Sequence, residues 1–397
     1  MRVAYALGRL ATLAIAAVVS CSSDPASQGA GGGPGGGGTS AGSGGTAGAS
    51  GGGSGGVAGS AGSGGAFPAA YSTQIFDRVR IESHADKENF QSATSELEFK
   101  DGPFERVMLV VDLDTTCYPF DSWLGPTPTN PPPDGENWPA DCDAFDRNFE
   151  FTLDDPQLET DPPGIELARA ITPFGGPLHF EIDITDVANG VGPGSHRLRT
   201  HISTWSDGAG TVSGSDGGWF VSAKIEATPG KAPRQVLAVI PLYNGSHGAT
   251  MPPAVAFEVP AGTLSNRVEY RATGHGGVYP SPGCSQPGEE FCRRDHRVSA
   301  DGSQFDRFVP WRSDCKDLCT RATYGSLEYC AENPCGAIQS VEAARAGWCP
   351  GSVSPPFTWE RPEYNTPGSH SFSWSISPVA DGGSWRISAT YFAFGAE

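Results

Sequence analysis

Ser371-Phe372-Ser373-Trp374-Ser375-Ile376-Ser377, followed beyond the turn Asp381-Gly382-Gly383 by Trp385-Arg386-Ile387-Ser388-Ala389-Thr390-Tyr391, alternates apolar and polar side chains. Successive side chains on a strand point to opposite faces, so this period of two predicts a pair of half-buried strands. Elsewhere Val107 to Leu113, Phe180 to Ile184, Phe220 to Ile225 and Val236 to Ile240 read as buried strands, and only Ser340 to Ala346 looks briefly helical. With 54 Gly and 34 Pro, and turns such as Asp101-Gly102, the chain reads as all-β, built from antiparallel sandwiches.

Working outward, the N-terminus predicts export. Arg2 and Arg9 precede an apolar run from Leu10 to Val19 that is too short to span a membrane. The run ends in Val18-Val19-Ser20-Cys21, which resembles a bacterial lipoprotein signal with Cys21 as the lipidated residue. An ordinary signal peptide with an incidental cysteine has the same pattern. Residues 22–66 are almost entirely Gly, Ser, Ala and Thr, a composition that buries no core and serves as a flexible linker. The expected location is the outer membrane or cell surface, attached through a lipid only, or the secreted fraction. The remaining stretch from Phe67 to Glu397, roughly 330 residues, exceeds the usual size of one core. Pro229, Gly230 and Pro233 interrupt two strand runs, which suggests domains at 67–229 and 230–397.

A formal net charge of −19 argues against nucleic acid as a partner. Ten cysteines in an exported chain point to disulfides. Nine remain if Cys21 carries lipid, so one thiol is unpaired or bridges to another molecule. The spacing of Cys315, Cys319, Cys330 and Cys335 also permits zinc, although export disfavours it. Copper fits poorly, since the eight histidines include no His-x-His pair. No metal or cofactor is expected. Glu290 lies between Cys284 and Cys292, and a carboxylate held on a short covalent loop suits acid or base chemistry.

The blocks around this loop resemble those of the bacterial peptide-N-glycosidase F family. Cys142, Asp143, Phe145, Asp146 and Arg147 are similar to the segment that carries the family's principal catalytic aspartate. Arg169 with Ile171, Thr172 and Pro173, then Glu181 to Asp186, resemble two framework blocks, and Thr204-Trp205 a glycan-contacting strand. Gly274-His275, the Glu290-Phe291-Cys292 loop and the Arg345 to Gly351 block follow in the family's order. The resemblance implies two tandem eight-stranded jelly-roll sandwiches with a site between them. It implies a monomer acting on an N-glycoprotein or glycopeptide, hydrolysing the amide that joins glycan to asparagine and leaving aspartate. Asp146 and Glu290 would be the catalytic carboxylates, with Arg147, Ser203, Trp205 and Arg345 in substrate binding. Resemblance and spacing together pair Cys117 with Cys142, Cys284 with Cys292 and Cys330 with Cys349, leaving Cys315, Cys319 and Cys335 ambiguous.

Such a hydrolysis needs an oriented water, a base, donors for the developing oxyanion and a proton for the departing amine. Arg147 beside Asp146 would favour its charged form. Alone, each residue has a plainer reading: a surface ion pair for Asp146-Arg147, a solvated loop acid for Glu290, a buttress for Arg345, a core ring for Trp205, a structural imidazole for His275. The chain also departs from the family. Ser203 stands where a second glutamate is expected two residues before the tryptophan, and Thr273 where a tryptophan precedes Gly-His. A serine hydroxyl cannot serve as a base near neutral pH. The long loop between Cys117 and Cys142, with Pro126, Pro128, Pro131 to Pro133, Glu136 and Trp138, either borders the groove or is a solvated insertion. Two functions stay open: an amidase on N-glycosylated asparagine, or a glycan-binding surface lipoprotein that keeps the groove without turnover.

Overall fold

The structure is a computed structural model, and it describes residues 67–396 apart from 158–161, 207–211, 251, 278–281 and 287. The signal segment, Cys21 and the linker lie outside the described residues. Among these, no helix is long and apolar enough to cross a membrane.

The first half contains β1 (Tyr71–Glu82), β2 (Ser92–Phe99), β3 (Phe104–Asp114), β4 (Asn148–Leu153), β5 (Ile165–Ile171), β6 (Leu178–Asp183), α1 (Thr185–Val191), β7 (Gly194–Ile202) and β8 (Gly218–Pro229). The second contains β9 (Val236–His247), β10 (Val255–Val259), β11 (Ser265–Gly276), β12 (Asp295–Ala300), β13 (Ser303–Phe308), β14 (Arg321–Tyr324), β15 (Leu327–Cys330), α2 (Ile338–Val341), β16 (Ser352–Val353), β17 (Phe357–Trp359), β18 (Gly368–Ser377) and β19 (Gly383–Phe394). These strands pair with one another antiparallel. Sheet β1-β8-β3-β6 faces β16-β5-β4-β7-β2 in the first sandwich, and β10-β18-β12-β13 faces β17-β11-β19-β9 in the second. This is the double jelly-roll architecture. Strand β16 comes from the second half yet pairs with β5, Ser352 opposite Ile171, so the chain crosses back over the first sandwich.

Phe372, Trp374 and Ile376 of β18 and Trp385, Ile387, Ala389 and Tyr391 of β19 all enter the second core, as their alternation predicts. Beyond Ile387, however, β19 is buried on both faces. Its outward residues Phe392 and Phe394 join the first sandwich's core, which explains why the polar-out pattern fades there. Strands β4 and β5 are likewise buried on both faces. Phe149, Phe151 and Leu153 fill the first core, while Glu150, Glu166 and Arg169 lie buried where the second sandwich covers them.

A third, smaller core joins the two halves. Cys117, Cys142, Ala144, Phe174, Cys330, Cys335 and Val341 pack together, with Trp138 against them. The long loop after Cys117 is therefore packed. Its Phe120 lies 4.8 Å from Tyr329 and 5.8 Å from Tyr324 of the β14–β15 hairpin, and Trp138 meets Trp123 at 5.6 Å. Helix α1 carries no clear signal in the sequence; Asp183 accepts from the Thr185 amide at its start, and Asp186 pairs with Arg267 across the interface.

The disulfides are Cys117–Cys142, Cys284–Cys292, Cys315–Cys349 and Cys319–Cys330. The expected Cys330–Cys349 pair does not form. The hairpin sets Arg321 opposite Cys330, which brings Cys319 to Cys330. Reciprocal backbone bonds between Arg312 and Arg345 in turn bring Cys315 to Cys349. With three of its four cysteines oxidised, the zinc quartet is excluded. Cys335 is buried beside the Cys117–Cys142 bridge, the three sulfurs within 4.8 Å of one another.

Candidate active site

The block between Cys142 and β4 folds as a tight turn that leaves one carboxylate outward. Asp143 is fully buried; it accepts from the Phe145 amide and, at 3.1 to 3.2 Å, from Nε of Arg147. Thr172 Oγ1 accepts from the Arg147 amide and donates to the Phe145 carbonyl, pinning the turn to the end of β5. Asp146 emerges between these fixed points.

The second sandwich supplies the facing wall. Glu289, Glu290 and Phe291 form a 3-10 turn inside the Cys284–Cys292 loop. The Glu290 carbonyl accepts from the Ala346 amide at 2.7 Å, the Ala346 carbonyl from the Gly274 amide at 3.0 Å, and the Gly274 carbonyl from Trp348 Nε1 at 2.8 Å. Gly347 has a φ of 83° and sits so close to the Ala272 carbonyl that no Cβ would fit. This lattice holds Arg345, whose guanidinium lies 4.8 Å from the Phe291 ring centre and 4.7 Å from that of Trp348. Arg345 Nη2 reaches Ser340 Oγ at 3.3 Å and Oδ2 of Asp146, in the other sandwich, at 3.4 Å. Nε and Nη1 of Arg345 are buried and have no acceptor among the described residues. Side-chain exposure is 1% for Arg345 and 8% for Asp146, so the pair is nearly dry.

Glu289 is wholly buried; its carboxylate accepts from Arg294 Nε and Nη2 at 2.7 and 2.9 Å, from Trp385 Nε1 and from the Ala380 amide. Glu290 is also buried, and its backbone carbonyl joins the segment that carries Arg345 through the Ala346 amide.

Arg147 is 1% exposed, with its guanidinium 5.0 Å from the Phe145 ring and 5.9 Å from that of Trp205. Trp205 lies just past the end of β7, partly exposed, and its Nε1 has no acceptor among the described residues. The Ser203 amide donates to the Asn148 carbonyl at 3.0 Å, two residues from Asp146. The structure thus gathers Asp146, Arg147, Ser203 and Trp205 at one end of the first sandwich and brings Arg345 to Asp146.

Sequence reasoning missed the polar layer behind this site. Arg386 of β19 binds Glu150 of β4 through Nε and Nη2, both at 2.6 Å, and Asn148 also donates to Glu150. Arg169 forms a bidentate pair with Glu166 at 2.7 to 2.8 Å and donates across the interface to Thr273 Oγ1 and the Arg386 carbonyl. Burial opposes the charge on Glu150, yet Arg386, in charge and hydrogen bonding, holds its carboxyl well below the ordinary range. Thr273 serves this layer: its hydroxyl also meets His275 Nε2 at 2.9 Å. His275 stacks on Trp348 with ring centres 5.4 Å apart, and burial, then Arg169, lowers its pKa to about 3. The sequence signal for Glu150 is a lone charge on a strand that alternates polar Asn148, Glu150 and Thr152 with apolar Phe149, Phe151 and Leu153. A separate cavity of about 500 Å³ opens elsewhere along the interface, lined by Glu166, Asp186, Pro233, Arg267 and Arg271 among others, and neither Asp146 nor Arg345 lines it.

Residues 243–391 match the family model described as peptide-N-glycosidase F, C terminal. No curated protein matches the chain by sequence. Among solved structures, that of peptide-N(4)-(N-acetyl-beta-D-glucosaminyl)asparagine amidase aligns with TM-score 0.60 and 18% identity, covering 82% of this chain and 96% of that one. PNGase F, a glycosylasparaginase from Flavobacterium meningosepticum, aligns with TM-score 0.59 and 17% identity over 83% of this chain and 96% of its own. PNGF-II aligns with TM-score 0.60 and 17% identity over 83% of this chain and 66% of its own. At such identities the structural likeness establishes the fold, and the sequence match makes the second half of this chain similar to the C-terminal part of peptide-N-glycosidase F.

Proposed function

We propose that the protein hydrolyses the side-chain amide of N-glycosylated asparagine, adding water across the carbon–nitrogen bond so that aspartate remains and the glycan leaves as a glycosylamine. The observation that carries this reading is the Asp146–Arg345 contact across the interface, 3.4 Å long, with the Glu290 loop joined to the same wall. A carboxylate beside a guanidinium in a dry groove can orient a water, and a guanidinium held against two rings offers a fixed donor to a polarised carbonyl. Asp146 is the base or water-orienting group and Glu290 the second acid. Arg345 faces the amide carbonyl, Arg147 braces the Asp146 turn from below, and Trp205 offers a sugar ring a flat face. The domain division at 229/230, export through the segment ending at Cys21, lipidation there, and a monomeric state belong to the same proposal. Support comes from the names of the similar structures, which describe amidases of N-glycosylated asparagine.

A second reading, glycan binding without turnover, is favoured by one observation: Ser203 presents a hydroxyl where the resemblance expects a carboxylate. Incubating the full chain with a denatured N-glycoprotein and mapping the peptides by mass spectrometry separates the two. Conversion of glycosylated asparagine to aspartate is expected; retained glycan binding with no conversion across several glycan types overturns the hydrolytic reading.

A further inference from the structure

We propose that Arg199, His201 and Ser203 form a hydrogen-bond relay that makes Ser203 a donor to the substrate, so that this subsite takes an uncharged oxygen acceptor of the sugar. The inference rests on the glycan-directed reading above and specifies one of its contacts. Arg199 Nη2 lies 3.0 Å from His201 Nδ1. A guanidinium has donors only, so Nδ1 must be the unprotonated acceptor and the ring proton sits on Nε2. Nε2 in turn lies 3.4 Å from Ser203 Oγ. The ring is therefore the donor in that pair, and the hydroxyl's own proton is left for another partner. A hydrogen bond to the Gln91 backbone favours the protonated ring.

The neighbours enforce this tautomer. Asp155 holds Arg199 at 3.2 Å, fixing the first member of the relay. Burial, the strongest influence, lowers the His201 pKa to about 4; Arg199 and Arg386 act in the same direction, while Glu150 and the Gln91 bond oppose. At neutral pH the ring is uncharged and its two nitrogens keep distinct roles. Ser203 itself is partly exposed, with its amide fixed by the Asn148 carbonyl beside the Asp146 turn. An ionised carboxylate here could only accept hydrogen bonds, from a sugar hydroxyl or a water. The Ser203 hydroxyl, already accepting from His201, has its own proton to donate. The contact thereby gains a donor that a carboxylate lacks, and the sugar atom that suits it is an oxygen with a free lone pair, an acetamido carbonyl or a hydroxyl oxygen.

The test uses the full chain, asparagine-linked N-acetylglucosamine as the probe, and two readouts. Titration calorimetry should show Ser203→Ala binding about tenfold more weakly than wild type, with Ser203→Thr, which keeps the hydroxyl, close to wild type. In the deglycosylation assay Ser203→Ala should raise KM more than it lowers kcat. Nitrogen-15 NMR of the wild type should show His201 protonated at Nε2 alone, with that resonance shifting in Ser203→Ala and on adding the probe. Equal affinity of Ser203→Ala and wild type, or a ring protonated at Nδ1, overturns the relay. Should the wild type hydrolyse glycopeptides while Ser203→Ala matches it in affinity and KM, only the relay falls. A wild type that neither binds nor hydrolyses removes both the relay and the proposed function.

Discussion

Two carboxylate–guanidinium pairs cross the same domain interface, and they are built in opposite ways. Glu150 and Arg386 meet through two bonds of 2.6 Å, with Asn148 adding a third donor to the carboxylate. Asp146 and Arg345 meet through one nitrogen at 3.4 Å, and the guanidinium rests on aromatic rings. A saturated pair has no capacity left for chemistry and instead locks the two sheets together. A loose pair can change partners when a substrate arrives. Glu289 repeats the saturated pattern inside the Cys284–Cys292 loop, where Arg294, Trp385 and Ala380 all donate to its carboxylate.

The largest effect should come from breaking the saturated pair. Arg386→Met leaves Glu150 buried without its main partner, and removing one member of such a pair costs about 3–5 kcal/mol; chemical denaturation should show that loss. If stability fell by less than about 1 kcal/mol, Glu150–Arg386 would not be the lock. Next, Asp146→Asn should reduce deglycosylation by a factor on the order of 10² to 10⁴. Its midpoint of unfolding should stay near wild type, because the substitution is isosteric and the contact to Arg345 is long. Arg345→Lys keeps the charge and loses the flat stacking surface, and a drop of roughly ten- to a hundredfold in kcat/KM is expected, with a smaller change in stability. A change in stability alone would make Arg345 a mere buttress.

The smallest effect is in pH dependence. His201 and His275 have folded pKa values lowered to about 4 and about 3 from an ordinary 6.5. Between those values the unfolded chain binds more protons than the folded one, so stability falls as pH drops below 6.5 toward 4. Glu150, whose folded pKa is also depressed, adds a further loss below its ordinary value of 4.5. Replacing His201 with Gln should flatten the stability curve between pH 6.5 and 4. An unchanged slope would mean that His201 is not held neutral by the fold.

Much of the architecture was legible because a strand with one wet face writes its burial into the sequence, as Phe372, Trp374 and Ile376 do. The loop around Glu290 was legible because its cysteines stand eight residues apart. What stayed hidden depends on distant pairing. Glu150 meets Arg386 across 236 residues, and nothing local marks either as a partner. The outward face of β19 reads as half-buried because the sequence does not say that the other sandwich covers it. The Cys330 assignment failed for the same reason: the hairpin register that delivers Cys319 is set by short, partly exposed strands with weak patterning.

The account turns on Asp146 doing chemistry while Glu150 holds the sheets together. The most direct measurement is deglycosylation in ¹⁸O water, followed by mass spectrometry of the former glycosylation site, for wild type and Asp146→Asn. The account predicts aspartate carrying one ¹⁸O from solvent with the wild type, and a small residue of that conversion, on the order of 1% or less, with Asp146→Asn. Equal conversion by the two proteins, or none by the wild type, would contradict it.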